Sequence, residues 1–155
     1  MLNVWHNYNY RIKYFRLGRL FCTKTSKNLR DNQQHDIIGP PDPVSNLRPV
    51  VFACSPKETY LEKKYRKLKE ETQEWNQAFW SQHNINFVEE RKQFQQLLKT
   101  QGKIAPTADD MSVFYKQFLD KNWQSHFNYN ITWYKKNIKI LLFGILINIS
   151  KLKFK

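Results

Sequence analysis

A chain of 155 residues has room for one small hydrophobic core and no second. Its 26 Lys and Arg against 13 Asp and Glu give a net charge of +13, yet residues 1–30 carry +7, residues 131–155 carry +6, and the stretch between sums to zero. That distribution argues against a folded domain with its own basic nucleic-acid face, and two cysteines exclude a disulfide framework.

Residues 1–30 hold Arg11, Lys13, Arg16, Arg19, Lys24, Lys27 and Arg30, with no acid before Asp31. Wound as a helix, the segment places Trp5, Tyr8, Ile12 and Phe15 on one face with the basic residues beside it. This is the pattern of a disordered mitochondrial presequence, with a processing point after Phe21. A basic arm for RNA or lipid headgroups is the competing reading. Cys22 lies at the edge of that segment, which leaves Cys54 alone after processing and points to a reducing compartment.

Residues 31–56 include Pro40, Pro41, Pro43 and Pro49, each fixing φ near −65° and removing a backbone donor, so the expectation is an extended, polyproline-like arm. Gly39 is its permissive joint, and Asp42, Ser45, Asn46 and Arg48 supply polar groups for a partner surface to fix. A plain linker has similar composition.

A helical domain is expected over residues 57–137. Ser55, Pro56 and Glu58 read as its cap, and Leu61, Tyr65, Leu68, Thr72, Trp75 and Phe79 recur at the spacing of one helical seam. Trp75 and Asn76 lie on this first helix, and Trp80 stands about 100° from Phe79, at the seam's edge, where a partner has access to it. A second helix is predicted from about Asn86 to Thr100, ended by Gly102. Pro106, Thr107, Asp109 and Asp110 open a third, with Met111, Phe114, Tyr115, Phe118 and Leu119 as its buried stripe. The polar and aromatic run from Asn122 to Asn130 reads as a corner before a final helix near Ile131. No strand pair is evident, so the fold class is all-α, with three to four helices behind the arm.

Residues 138–155 are apolar without interruption from Ile140 to Ile147 and are flanked by lysines that include Lys135 and Lys136. Twelve residues from Ile138 to Ile149 make about 18 Å of helix, short of a bilayer's roughly 30 Å of hydrocarbon. A peripheral anchor follows, with Leu141, Leu142, Phe143, Leu146 and Ile149 entering the acyl boundary and lysines on the headgroups. A buried core helix is the alternative.

No catalytic or metal-binding constellation emerges. His6, His35, His83 and His126 are scattered, no Gly-rich phosphate loop exists, and the seven Glu sit on charged helix faces. The expectation is a chain that is no enzyme and has no cofactor, metal or small-molecule substrate.

Three segments, Asp36 to Val50, Glu71 to Trp80 and Phe114 to Asn137, together resemble in order the apoptogenic protein 1 family of mitochondrial cytochrome c oxidase assembly factors. The resemblance covers about residues 35–137. After Asn137 the chain departs from that pattern into a shorter and more apolar tail. The resemblance implies a factor for biogenesis of complex IV, bound to oxidase subunits or other assembly factors at the matrix side of the inner membrane. Gly39 to Pro49 and Trp75 to Trp80 are its expected docking surface. A mitochondrial RNA- or ribosome-associated protein is the second reading, and a pro-apoptotic factor, after the family's name, the third.

Overall fold

A computed structural model describes residues 35–103 and 105–152. The presequence expectation and Cys22 lie outside the described residues. In order come strand β1 (Ile37–Ile38), strand β2 (Val50–Val51), helix α1 (Tyr60–Thr100) and helix α2 (Ala108–Leu152). The two helices run antiparallel, at 1.5 Å per residue about 60 Å and 67 Å long, so the architecture is a helical hairpin with a small β-hairpin on its side.

Helix α1 starts at a capping box formed by Thr59 and Glu62, four residues after the predicted cap at Ser55. Ser55 and Pro56 instead make a turn, with the Glu58 N–H on the Ser55 carbonyl at 3.0 Å. This frees Glu58 to take the Arg66 guanidinium at 2.9 Å on each oxygen, while Glu70 takes it at 3.0 Å from the next turn. Glu58 before Glu70 holds the guanidinium charge, raising its proton affinity further.

Where two helices were expected between residues 57 and 100, one continuous helix runs. Nothing in it is Gly or Pro, and polar side chains at the supposed break are satisfied locally, Gln82 Nε2 donating to Asn86 Oδ1 at 2.8 Å. The end of the helix follows the prediction. Gly102 adopts φ 87°, its N–H reaches the Lys99 carbonyl and the Lys103 N–H reaches the Leu98 carbonyl, closing a Schellman motif.

Thr107 and Asp110 cap α2 reciprocally, at 3.2 and 3.1 Å, where the sequence placed a helix start. Lys103, then Thr107, hold the Asp110 carboxyl at about 2. The predicted corner at Asn122 to Asn130 is helix as well. Asn122 Nδ2 donates to the Phe118 carbonyl at 2.8 Å and Gln124 Nε2 to Asn128 Oδ1 at 3.2 Å, so these polar residues bond along the helix and do not interrupt it.

The seam is mostly aromatic. Phe114 and Phe118 are each 4 % exposed, with Phe87 and Phe94 packed on them, and Leu98 and Ile147 are buried towards the two ends. Of the expected stripe on this helix, Leu119 is exposed, and Tyr115 is partly exposed at the seam's edge, stacked on Phe87. Ion pairs between Lys121 and Glu90 and between Lys151 and Glu62, both 2.8 Å, fix the antiparallel register at two heights. Lys151 first, then Thr59, pull the Glu62 carboxyl down to about 2.

Midway, His83 and His126 approach across the seam with ring nitrogens 3.4 Å apart, among Phe79, Trp80 and Phe118. Desolvation, then the charge of His126, lowers the His83 pKa below its ordinary 6.5. A histidine whose pKa is lower folded than unfolded binds fewer protons in the folded state, so stability is complete above about pH 6.5 and falls as pH drops below it. Thermal melts taken from neutral to mildly acidic pH should show this loss, and His83→Phe should flatten it.

The Pro-rich segment is not an extended arm. It folds back as an antiparallel pair, Ile37 opposite Val51 and Ile38 opposite Val50, which two-residue strands were too short to announce in the sequence. Asp42 Oδ1 accepts from the N–H groups of Ser45 at 2.7 Å and Val44 at 3.0 Å and from the Ser45 hydroxyl, with Asn46 at φ 60° closing the turn. Desolvation pushes the Asp42 carboxyl up, and those three donors outweigh it and bring it below 3.8. At Gly39 a Cβ would stand 3.0 Å from Pro49 Cγ, so any larger residue would have to push the Pro49 ring back by a few tenths of an ångström at this close crossing of the strands.

Candidate functional site

The β-hairpin lies along α1. Gln73 reads the free edge of β2 like a neighbouring strand, accepting from the Val50 N–H at 2.7 Å and donating to the Val50 carbonyl at 3.0 Å. Asn84 holds the turn through the Val44 carbonyl at 2.8 Å. Near the base, Asp36 accepts from the Ala53 N–H at 2.8 Å and Lys69 sits 4.0 Å over the Phe52 ring. The prolines therefore stiffen a segment whose first support is the chain's own helix.

Between the β-hairpin and α2 opens a cleft of about 380 Å³. Its floor is the α1 surface from Tyr65 to Gln77, one wall is Leu47, Arg48 and Phe52, and the other is Trp133, Asn137 and Ile140. No acidic side chain lines it.

Of the predicted docking residues, Gly39, Pro40, Pro41, Asp42, Ser45, Asn46 and Pro49 build the β-hairpin, and Ser45 is 3 % exposed inside its turn. Arg48 and Asn76 face the cleft. Trp75 and Trp80 turn elsewhere: both pack on Tyr129 of α2. The Trp75 ring stacks on it at 5.1 Å and lies under Lys136, while Trp80 Nε1 donates to its hydroxyl at 2.9 Å. That hydroxyl donates on to Asn76 Oδ1 at 2.7 Å. Trp80, read as open to a partner at the seam's edge, is half-buried because Tyr129 supplies the acceptor that its indole N–H requires. Leu47, Phe52, Gln77, Trp133, Asn137 and Ile140 were not anticipated, since no sequence spacing joins a strand to two antiparallel helices.

Helix α2 carries a second feature. Leu141, Leu142, Leu146 and Ile149 are 62 %, 55 %, 53 % and 45 % exposed, whereas Phe143 turns to α1 beneath Lys64 and Lys136 turns to Trp75. Lys135 is exposed. The open apolar stripe is longer than expected, because Trp123, Phe127, Ile131, Tyr134 and Ile138 are exposed in line with it. At 100° per residue this stripe lies about half a turn from Tyr129, Phe143 and Ile147, which face α1. From Trp123 to Leu152, then, α2 is apolar on two opposite faces and has a neighbour on one. The recurrence Trp123, Phe127, Ile131, Tyr134, Ile138 at steps of three and four was the available signal. Among the described residues no helix is long and apolar enough to cross a membrane, and no three His, Cys, Asp or Glu gather to hold a metal ion.

The family described as cytochrome c oxidase assembly factor 8 matches residues 35–153, through the apolar tail as well as the segments before it. The Homo sapiens protein of that name is 49 % identical over 119 residues, covering 70 % of this chain and 58 % of its own length. The Bos taurus protein is 46 % identical over 120 residues, covering 71 % and 62 %. A mitochondrial protein of the family in Drosophila melanogaster is 46 % identical over 117 residues, covering 76 % and 66 %. The chain thus spans about three fifths of the length of the two mammalian relatives. No solved structure matches. By a match that runs through both hairpins, the chain belongs to the cytochrome c oxidase assembly factor 8 family.

Proposed function

We propose that this protein serves the biogenesis or stability of cytochrome c oxidase in mitochondria, as a docking hairpin that performs no catalysis. The family match over residues 35–153 carries the assembly role, and the relatives' names supply complex IV and the mitochondrion. In this reading the chain rests peripherally on the matrix face of the inner membrane and binds oxidase subunits or other assembly factors there.

The outward face of α2 supports the membrane contact. No acid follows Asp120, while seven lysines do, so the exposed apolar stripe sits in a helix segment free of negative charge. An anionic lipid surface complements that face, and a second copy of it would repel. The helix lies in the membrane plane with Trp123 and Tyr134 at headgroup depth. The RNA-binding reading draws on the net charge and on the aromatic residues interleaved with the lysines.

The test is deletion of the gene followed by native gels of the respiratory complexes. Isolated loss of complex IV, restored by the intact chain, is expected. Normal complex IV in the deletion would refute the assembly role.

A further inference from the structure

We infer that the cleft between the β-hairpin and α2 is a peptide-binding site that selects a carboxylate-bearing, partly apolar segment of a protein partner. The inference rests on the protein-docking reading above and names the chemistry of the docked segment.

The cleft is rich in donors and holds no acceptor charge. Arg48 forms no hydrogen bond or ion pair among the described residues, and neither the Gln77 amide nor the Trp133 indole N–H has a partner there. Asn76 spends its carbonyl on Tyr129 and keeps its amide N–H groups. Other polar groups are occupied: Gln73 by Val50, Thr72 by the Leu68 carbonyl, Asn137 by the Trp133 carbonyl. The free acceptors, the Gln77 and Asn137 side-chain carbonyls and the Tyr65 hydroxyl, are neutral, and Lys69 is paired with Asp36, so among the described residues the one unpaired charge lining the cleft is the Arg48 guanidinium, which suits a carboxylate gripped by the Arg fork. Phe52, Tyr65 and Trp133 add apolar wall for the flanking side chains.

Size and direction favour a peptide over a lipid headgroup. The floor from Tyr65 to Gln77 spans about 18 Å of helix, the length of some five extended residues. Trp133 and Ile140 lie about 140–155° around α2 from the centre of the exposed apolar stripe and Asn137 about 100°, so the cleft opens to the side and away from a membrane touching that stripe. A hairpin resting on lipid thus presents the cleft to proteins in solution.

The probe is a fluorescein-labelled pentapeptide with one central glutamate between leucines, added to the full chain and followed by anisotropy. The glutamate peptide is expected to bind about tenfold more tightly than its glutamine counterpart, and Arg48→Glu is expected to erase that difference. Helicity and melting temperature should stay unchanged in Arg48→Glu, since Arg48 supports nothing in the fold. Gln77→Ala, with a smaller loss, gives a second check. Equal affinity for the two peptides, or unchanged binding by Arg48→Glu, would overturn the inference, as would displacement of the peptide by glycerol 3-phosphate, which would assign the cleft to a lipid headgroup. Selective peptide binding alongside normal complex IV in the deletion would keep the cleft and remove the assembly role. Loss of complex IV without peptide selectivity would do the reverse.

Discussion

Replacing Tyr129 with alanine is expected to lower the stability of the helical hairpin by about 3 kcal/mol. Its ring stacks on Trp75 at 5.1 Å and on Phe79 at 4.3 Å, and its hydroxyl joins Trp80 to Asn76. Alanine removes the wall of two aromatic contacts and leaves an indole N–H and an amide carbonyl unpaired. Tyr129→Phe separates the two contributions. It keeps the stacking and costs about 1–2 kcal/mol for the two orphaned groups. Thermal or denaturant unfolding measures both, and a Tyr129→Ala loss no greater than that of Tyr129→Phe would mean that the stacking contributes little.

The second large effect is expected on membranes and not on folding. Leu141, Leu142, Leu146 and Ile149 point away from α1, so changing all four to glutamine should leave the melting temperature close to that of the parent. Each side chain entering the acyl boundary contributes about 1 kcal/mol, so the quadruple variant should bind phosphatidylglycerol-containing vesicles roughly a thousandfold more weakly. Phe143→Ala provides the contrast. Its ring lies beneath Lys64 of α1, so its loss should destabilise the fold and barely change vesicle binding. Equal vesicle binding by the parent and the quadruple variant would remove the membrane from the proposed function.

Much of this architecture was legible one helix end at a time. Gly102 at positive φ and the Thr107 to Asp110 cap stand where the sequence placed them, because terminal chemistry is local. The two supposed breaks, near residues 81–86 and 122–130, were misread from polar composition. Asn, Gln, Ser and His interrupt a helix only when their side chains draw its backbone away from the helical ladder, and here Gln82 and Gln124 bond to side chains one turn on while Asn122 adds a second donor to the Phe118 carbonyl within the helix. The pairing of Ile37–Ile38 with Val50–Val51 left no period to read, and prolines that imply extension are compatible with a hairpin when, like Pro43, they sit in the turn or, like Pro40, Pro41 and Pro49, beside it. At the candidate site, Arg48 was legible as an unsatisfied fork in a rigid segment. Trp80 was not, since its direction depends on a hydroxyl 49 residues away. The cleft itself is tertiary: Gln77 and Trp133 meet only because the helices pack antiparallel.

The central claim is that the hairpin docks proteins of the oxidase pathway while held on a membrane. Its most direct test is to purify the tagged full chain from mitochondria after a pulse of labelled synthesis, beside the Arg48→Glu and quadruple glutamine variants. The account predicts newly made complex IV subunits or their assembly factors with the parent, loss of them with Arg48→Glu at unchanged membrane recovery, and reduced membrane recovery with the quadruple variant. Recovery of the same complex IV partners by all three proteins would contradict it.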